Sequence, residues 1–264
     1  MEAVTSADGT RIAFWRTGSG PPLVLVHGGL CDHYAWYYVT PLLERHFTVY
    51  TFDRRGRGGS GDTQPYAPER EREDLAAILQ AIGEPAHLLG HSAGGILALQ
   101  TAERVRDLLS LILYEPGFIV AGTREPPAPD VLAAMLSRLA AGDREGAMRI
   151  AMRESVGASE IEIAALSSLP GWTRLLAVAD AIPNDWALWQ EPFIAGNVRE
   201  MRTPTLMLVG SQSPQWLRQG TEAILAALPN ARKVVFSGQG HSAMFTVPQL
   251  FAQAVIGFAA PSAS

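Results

Sequence analysis

A short apolar run, Ala86 to Leu89, leads straight into Gly90-His91-Ser92-Ala93-Gly94, and a helix-forming stretch, Ile96 to Arg104, follows. Gly-x-Ser-x-Gly is common on its own. Between a strand and a helix it describes a sharp turn that holds the serine in a strained backbone conformation and projects its hydroxyl above a sheet. Small residues at 90 and 94 are needed there because strand, turn and helix pack closely. Such a turn requires a sheet with a helix packed beneath it, so the chain is expected to be α/β. Ser92 becomes a candidate nucleophile, and the Ala93 N–H at the helix start a candidate oxyanion donor.

The rest of the chain agrees with that expectation. Glu2 to Thr5 and Arg11 to Arg16 read as two strands joined by Ala7-Asp8-Gly9-Thr10, a hairpin signal. Leu23 to Val26, Phe47 to Phe52, Leu108 to Tyr114 and Thr205 to Val209 are nearly uninterrupted apolar runs, as strands buried on both faces of a parallel sheet should be. With Lys233 to Phe236 the count reaches eight strands. Helical patterns fall between them at Asp32 to Arg45, Pro68 to Ile82, Gln215 to Leu228 and Val247 to Phe258.

Two further segments carry chemistry. His27-Gly28-Gly29 closes a strand, where glycines let backbone N–H groups face a ligand; the Gly29 N–H is the candidate first oxyanion donor. His27 reads as a hydrogen-bonding scaffold residue and Cys31 as a small buried neighbour. Asp53-Arg54-Arg55-Gly56-Arg57-Gly58-Gly59-Ser60 has the form Asp-x-Arg-Gly-x-Gly-x-Ser. Taken with His27-Gly28-Gly29 and the Ser92 turn, this resembles the α/β-hydrolase superfamily, of the small bacterial esterase-like kind. The resemblance implies a mostly parallel eight-stranded sheet flanked by helices, with an inserted helical cap.

A serine hydroxyl needs a base, and the base needs a third group to orient it. The superfamily's chain order is nucleophile, acid, histidine. His241, in Gly238-Gln239-Gly240-His241 after the last strand, fits the base. The acid departs from the pattern. The loop after Val209, where most relatives hold Asp or Glu, reads Gly210-Ser211-Gln212-Ser213-Pro214-Gln215 and contains no carboxylate. Two readings follow. In one, the acid sits at the end of the preceding strand, at Glu115. In the other, Gln212 or Ser213 holds the imidazole and the chemistry involves less proton transfer.

From Phe118 to about Thr203 the pattern changes to helices without strands. Glu125-Pro126-Pro127-Ala128-Pro129 is a linker. Asp130 to Ala141, Asp143 to Val156, Ser159 to Ser167 and Trp172 to Ala181 are helix-like, with Asp130 and Asp143 as expected N-caps. The division is therefore a core of residues 1–117 and 204–264 with a cap of residues 118–203. Trp172, Trp186, Trp189 and Phe193 of the cap, with Gly28 and Leu30 beside the glycine loop, are the candidate pocket residues.

The net charge of −5 gives no electrostatic case for nucleic acid. No apolar run reaches about 18 residues, so no membrane span is expected. Met1 to Asp8 has neither a basic start nor an apolar core, so no signal peptide is read and the expected setting is cytoplasmic. A single cysteine excludes a cysteine metal cluster, and no metal or organic cofactor is implied. Serine at 92 argues against epoxide hydrolases and haloalkane dehalogenases, which need a carboxylate nucleophile. The expected activity is hydrolysis of a small or medium, largely apolar carboxylic ester or lactone. The alternative is a non-hydrolytic protein of the same fold with an altered triad, either a lyase or cyclase of secondary metabolism or a ligand-binding module.

Overall fold

The computed structural model describes residues 1–125, 128–169 and 171–260, with only the backbone of Pro129. Pro126 and Pro127 of the expected linker lie outside the described residues. Eight strands are present: β1 Glu2–Thr5, β2 Arg11–Gly18, β3 Pro22–Val26, β4 Thr48–Phe52, β5 Ala86–His91, β6 Leu108–Tyr114, β7 Thr205–Gly210 and β8 Ala231–Phe236. They form one sheet in the order β1-β2-β4-β3-β5-β6-β7-β8. β1 and β2 are antiparallel to their neighbours, and the six strands from β4 to β8 run parallel. β3 and β5 are buried along their whole length, which explains their lack of polar alternation.

The helices are α1 Thr40–Leu43, α2 Pro68–Ile82, α3 Ala93–Ala102, α4 Pro129–Ala140, α5 Arg144–Val156, α6 Glu160–Ser167, α7 Trp172–Ala177, α8 Ile182–Trp189, α9 Ala195–Val198, α10 Gln215–Ala227, α11 Ala243–Thr246 and α12 Pro248–Ala259. One face of the sheet packs Val24, Val26 and Leu88 against Leu75 and Ile78 of α2, Ile96 of α3 and Ile224 of α10. The other packs Leu23, Leu25 and Leu89 against Leu43 of α1 and Phe251 and Val255 of α12. A third apolar cluster lies within the segment between β6 and β7. It joins Met135, Met148, Ile163, Trp172 and Trp186 to Leu30 of the glycine loop.

Local signals place the helix ends. Gly83 stops α2 in the left-handed conformation, Asp143 caps α5 by accepting from Gly146 N, and Ser159 and Glu162 form a reciprocal capping box on α6. Three expectations are corrected. Asp130 is not an N-cap: Ala128 holds that place and Pro129 takes the first turn, where a missing N–H costs nothing. Asp32 to Arg45 is not one helix but a 3-10 turn, His33–Trp36, followed by α1, which Pro41 restarts. The helix expected to run from Trp172 to Ala181 ends at Ala177 and gives way to a 3-10 turn before α8.

Three histidines are buried in the sheet region, His27, His87 and His91. Burial lowers the pKa of His87 to about 4 from an ordinary 6.5. Burial also holds His27 and His91 well below that value. Between pH 6.5 and about 4 the unfolded chain therefore binds protons that the folded chain refuses. Stability must rise with pH across that window and fall as the solution is acidified. Urea unfolding at pH 7.5, 6 and 5 is expected to show this loss, and His87→Asn to reduce it. An unchanged midpoint between pH 7.5 and 5 would contradict the assignment of neutral, buried imidazoles.

Candidate active site

The elbow is built as its sequence requires. Ser92 follows β5 with φ 53° and ψ −120°, and α3 begins at the next residue. A side chain at Gly94 would strike Val26 O and His27 O, and one at Gly90 would strike Gly94 O and lie 2.6 Å from Ala98 Cβ. These two contacts explain why strand and helix are joined by small residues. Register then brings the neighbouring strand ends into line. His91 pairs with Tyr114 across β5 and β6, so Ser92 and Glu115 are the next residues on adjacent strands. Ser92 N donates to Tyr114 O at 3.0 Å, and Gly117 N to Ser92 O at 3.1 Å.

Glu115 is fully buried and has φ 44°, a left-handed conformation that a non-glycine residue adopts only when its surroundings impose it. Oε1 accepts from Gly210 N at 2.7 Å, and Oε2 accepts from His241 Nδ1. Tyr114 fixes the same loop: its hydroxyl donates to Gly240 O and accepts from Ala243 N at 3.0 Å. The His91 ring lies 4.5 Å from that of His241, and His91 Nε2 donates to His241 O at 3.0 Å. With Nδ1 bonded to the carboxylate, His241 Nε2 is left as the acceptor, buried and without a hydrogen-bond partner among the described residues. Ser92 Oγ makes no hydrogen bond to it.

The structure thus brings Ser92, Glu115 and His241 to one edge of the sheet. Among the described residues neither Gln212 nor Ser213 hydrogen-bonds the imidazole, whose Nδ1 is bonded to Glu115. Gln212 is exposed, its N donating to Gln239 O at 2.8 Å, and Ser213 is buried with its hydroxyl unpartnered among the described residues. Gly28 packs beside the elbow, where an added Cβ would lie 3.2 Å from Ser92 Cβ. The N–H groups of Gly29 and Ala93 have no acceptor among the described residues. His27 is a scaffold residue: Nδ1 donates to Gly28 O at 2.8 Å and Nε2 accepts from Arg54 N at 3.2 Å. Burial first, then Asp185, pushes the Cys31 thiol up to about 12, which keeps it from acting as a thiolate near neutrality.

Sequence reasoning missed the residue that ties the glycine loop down. Asp185 of α8 is buried, and its Oδ2 accepts from Leu30 N at 2.8 Å, where Leu30 itself has φ 58°. Its Oδ1 accepts from Arg54 Nη1 at 3.0 Å and Arg57 Nη2 at 2.6 Å. Arg54 also forks onto Glu71 at 2.6 and 2.7 Å and donates to Gly28 O at 3.2 Å. Burial opposes the Arg54 charge, but Glu71 and Asp185 outweigh it and hold its pKa above the ordinary value. Burial likewise raises Glu71, and Arg54 more than offsets that. A signal existed: three arginines in one glycine-rich turn demand carboxylates. Glu71 and Asp74 of α2 answer two of them, and the third has to come from elsewhere.

Ser92 opens onto a narrow cavity of about 20 Å³, room for about one water-sized sphere. Trp186 and Trp189 line it, together with Ile119, Arg124 and Trp216, which sequence reasoning did not single out. Trp172 and Phe193 do not. Trp172 packs within the third cluster and borders a separate cleft with Cys31 and Phe245, while Phe193 packs on Phe118 with ring centroids 5.6 Å apart. Leu30 is buried in the third cluster rather than lining the cavity. Asp32, His33 and Asp53 come close enough to suggest metal ligands. Their atoms already serve the fold: Asp53 Oδ1 accepts from His33 Nδ1 at 2.6 Å, its Oδ2 from Gly59 N at 2.8 Å, and Asp32 from Arg174 Nε.

The sequence profile of the alpha/beta hydrolase family matches residues 23–254. The chain belongs to the alpha/beta hydrolase family. An alpha/beta hydrolase from Sphaerobacter thermophilus shares 38% identity over 97% of this chain and 99% of its own, with a TM-score of 0.90. A pimeloyl-[acyl-carrier protein] methyl ester esterase from Aeromonas hydrophila is 28% identical over 92% of this chain and 97% of its own. A soluble epoxide hydrolase from Corynebacterium sp. is 35% identical over 45% of this chain and 43% of its own. Esterases and other hydrolases are thus among the relatives of this alpha/beta hydrolase. No helix among the described residues is long and apolar enough to cross a membrane.

Proposed function

We propose that the protein is a serine hydrolase that cleaves a small or medium, largely apolar carboxylic ester or lactone through an acyl-enzyme. One observation carries this reading: the buried Glu115 carboxylate accepts from His241 Nδ1 and leaves Nε2 free at the edge where Ser92 projects. In this reading Ser92 Oγ attacks the carbonyl carbon while His241 Nε2 takes its proton. Glu115 offsets the imidazolium charge. The N–H groups of Gly29 and Ala93 receive the oxyanion. His241 then protonates the leaving alcohol, and a water deprotonated by the same nitrogen releases the acid. Serine in place of a carboxylate at 92 separates this chemistry from that of the epoxide hydrolase relative. The carboxylate at His241 also weighs against a lyase, cyclase or binding module with an altered triad.

Helices α4 to α9, within residues 118–203, act as a cap over a core of 1–117 and 204–264 in this reading. In this reading the cap helices border the cavity over Ser92, where Trp186 and Trp189 would meet the apolar part of the substrate. The expected result of treating the protein with a fluorophosphonate is one covalent adduct, located by peptide mass spectrometry on Ser92, with turnover of p-nitrophenyl esters lost in step. Folded protein that takes up no adduct, or takes it elsewhere, would overturn the reading.

A further inference from the structure

The buried arginines near the site end on carboxylates: Arg54 on Glu71 and Asp185, Arg55 on Asp74 and Asp8, Arg57 on Asp185. Arg124 does not. It lies between β6 and α4, half-buried, and lines the same cavity as Ser92. Its Nη1 donates to Ser155 O at 2.6 Å and its Nη2 to Glu154 O, and its guanidinium lies 5.0 Å from the centre of the Trp216 ring. No carboxylate lies within ion-pair distance of it among the described residues. Glu154 also lines the cavity, but its carboxylate accepts from Arg153 Nε at 2.9 Å.

Two carbonyls hold the guanidinium in place and take up two of its five N–H donors; among the described residues Glu154 acts on its charge only from beyond ion-pair distance. The remaining wall is largely apolar, with Ile119, Val156, Trp186, Trp189 and Trp216. A fixed cation in such surroundings is costly unless an anion meets it, and a carboxylate matches its planar fork. The competing role is closure of the α5 C-terminus, whose last carbonyls favour a cation. That role uses the two Nη bonds and gives no reason for Arg124 to border the cavity of Ser92 as well as the open cleft beside Trp216.

We infer that Arg124 binds a carboxylate carried by the substrate away from the scissile bond, so the preferred substrates are apolar esters ending in a carboxylate, such as half-esters of medium-chain dicarboxylic acids. The inference rests on the serine-hydrolase reading of the same site. Monoethyl adipate and ethyl hexanoate present the same acyl length with and without the charge. The wild-type protein is expected to favour monoethyl adipate in kcat/KM by about tenfold or more. Arg124→Gln is expected to lower that ratio by roughly ten- to hundredfold, and Arg124→Lys to keep part of it as a point charge. The ratio is the readout because loss of helix closure alone would slow both esters alike. A second arm needs no turnover. Binding of monoethyl adipate to Ser92→Ala protein, followed by tryptophan fluorescence, is expected to weaken by the same factor when Arg124→Gln is added. Equal slowing of both esters, a wild-type preference for ethyl hexanoate, or binding indifferent to Arg124 would each overturn the inference. Absence of both hydrolysis and Ser92 labelling would instead overturn the serine-hydrolase reading, with the binding arm still deciding whether Arg124 recognises the charge.

Discussion

Glu115→Gln is expected to lower ester kcat by roughly 10⁴-fold, against about 10⁶-fold for Ser92→Ala, with the fold retained in both. The geometry says why so small a change matters. Oε1 accepts from Gly210 N, so a glutamine at 115 keeps its carbonyl oxygen there and turns its NH₂ toward His241. Nδ1 must then accept rather than donate. The ring proton moves to Nε2, and the nitrogen facing the elbow can no longer take a proton from Ser92. The lost negative charge also removes what offsets the imidazolium during attack. Steady-state kinetics on a p-nitrophenyl ester, with the fluorophosphonate labelling rate beside it, checks both effects. Gln212→Ala and Ser213→Ala should stay within a few-fold of wild type. Turnover of Glu115→Gln within tenfold of wild type, with a large loss in either loop variant, would return the third role to that loop.

Asp185→Ala is expected to destabilise the protein by about 3–5 kcal/mol, the cost of breaking a buried ion pair by removing one partner. The change deprives Arg57 of its carboxylate, leaves Arg54 with Glu71 alone and strands Leu30 N. For a chain of this size the melting temperature should fall by roughly 6–20 °C. Asp185→Asn keeps the side-chain volume but loses the charge and turns an NH₂ toward a donor, either Leu30 N or the arginines, so it should recover little of the loss seen in Ala. Because Leu30 and Gly28 are held by this network, the labelling rate of Ser92 should drop in both variants even at temperatures where they remain folded. A midpoint shift below about 1 kcal/mol would mean that the network contributes little to stability.

The features legible in the sequence were those that local rules constrain. The elbow was readable because Gly90 and Gly94 admit no side chain, and the parallel strands because burial on both faces removes polar alternation. Glu115 was reachable only as one of two choices, since the carboxylate missing from the loop after β7 could be noticed but its replacement depends on the register of β5, β6 and β7. Asp185 and Arg124 were not legible. Each acts far along the chain, Asp185 on residues 131 and 155 positions away and Arg124 on residues 30 and 31 positions away, through contacts set by how the helices between β6 and β7 settle on the sheet. Trp172 and Phe193 illustrate the same limit: large aromatics in a helical segment are equally suited to pocket and to packing, and the packing of neighbouring helices decides between them.

The carboxylate that meets His241 comes from the strand at the centre of this edge, not from the loop after β7. Ser211 and Gln212 still bond the loop that leads to His241, but among the described residues, positions 213–215 make no hydrogen bond to it, and they lead directly into Trp216 on the cavity wall. For anyone adapting the protein to new substrates, that stretch is the natural place for a randomised library. Changes in its composition can reshape the wall beside Arg124, while the carboxylate bonded to the imidazole stays anchored in the sheet.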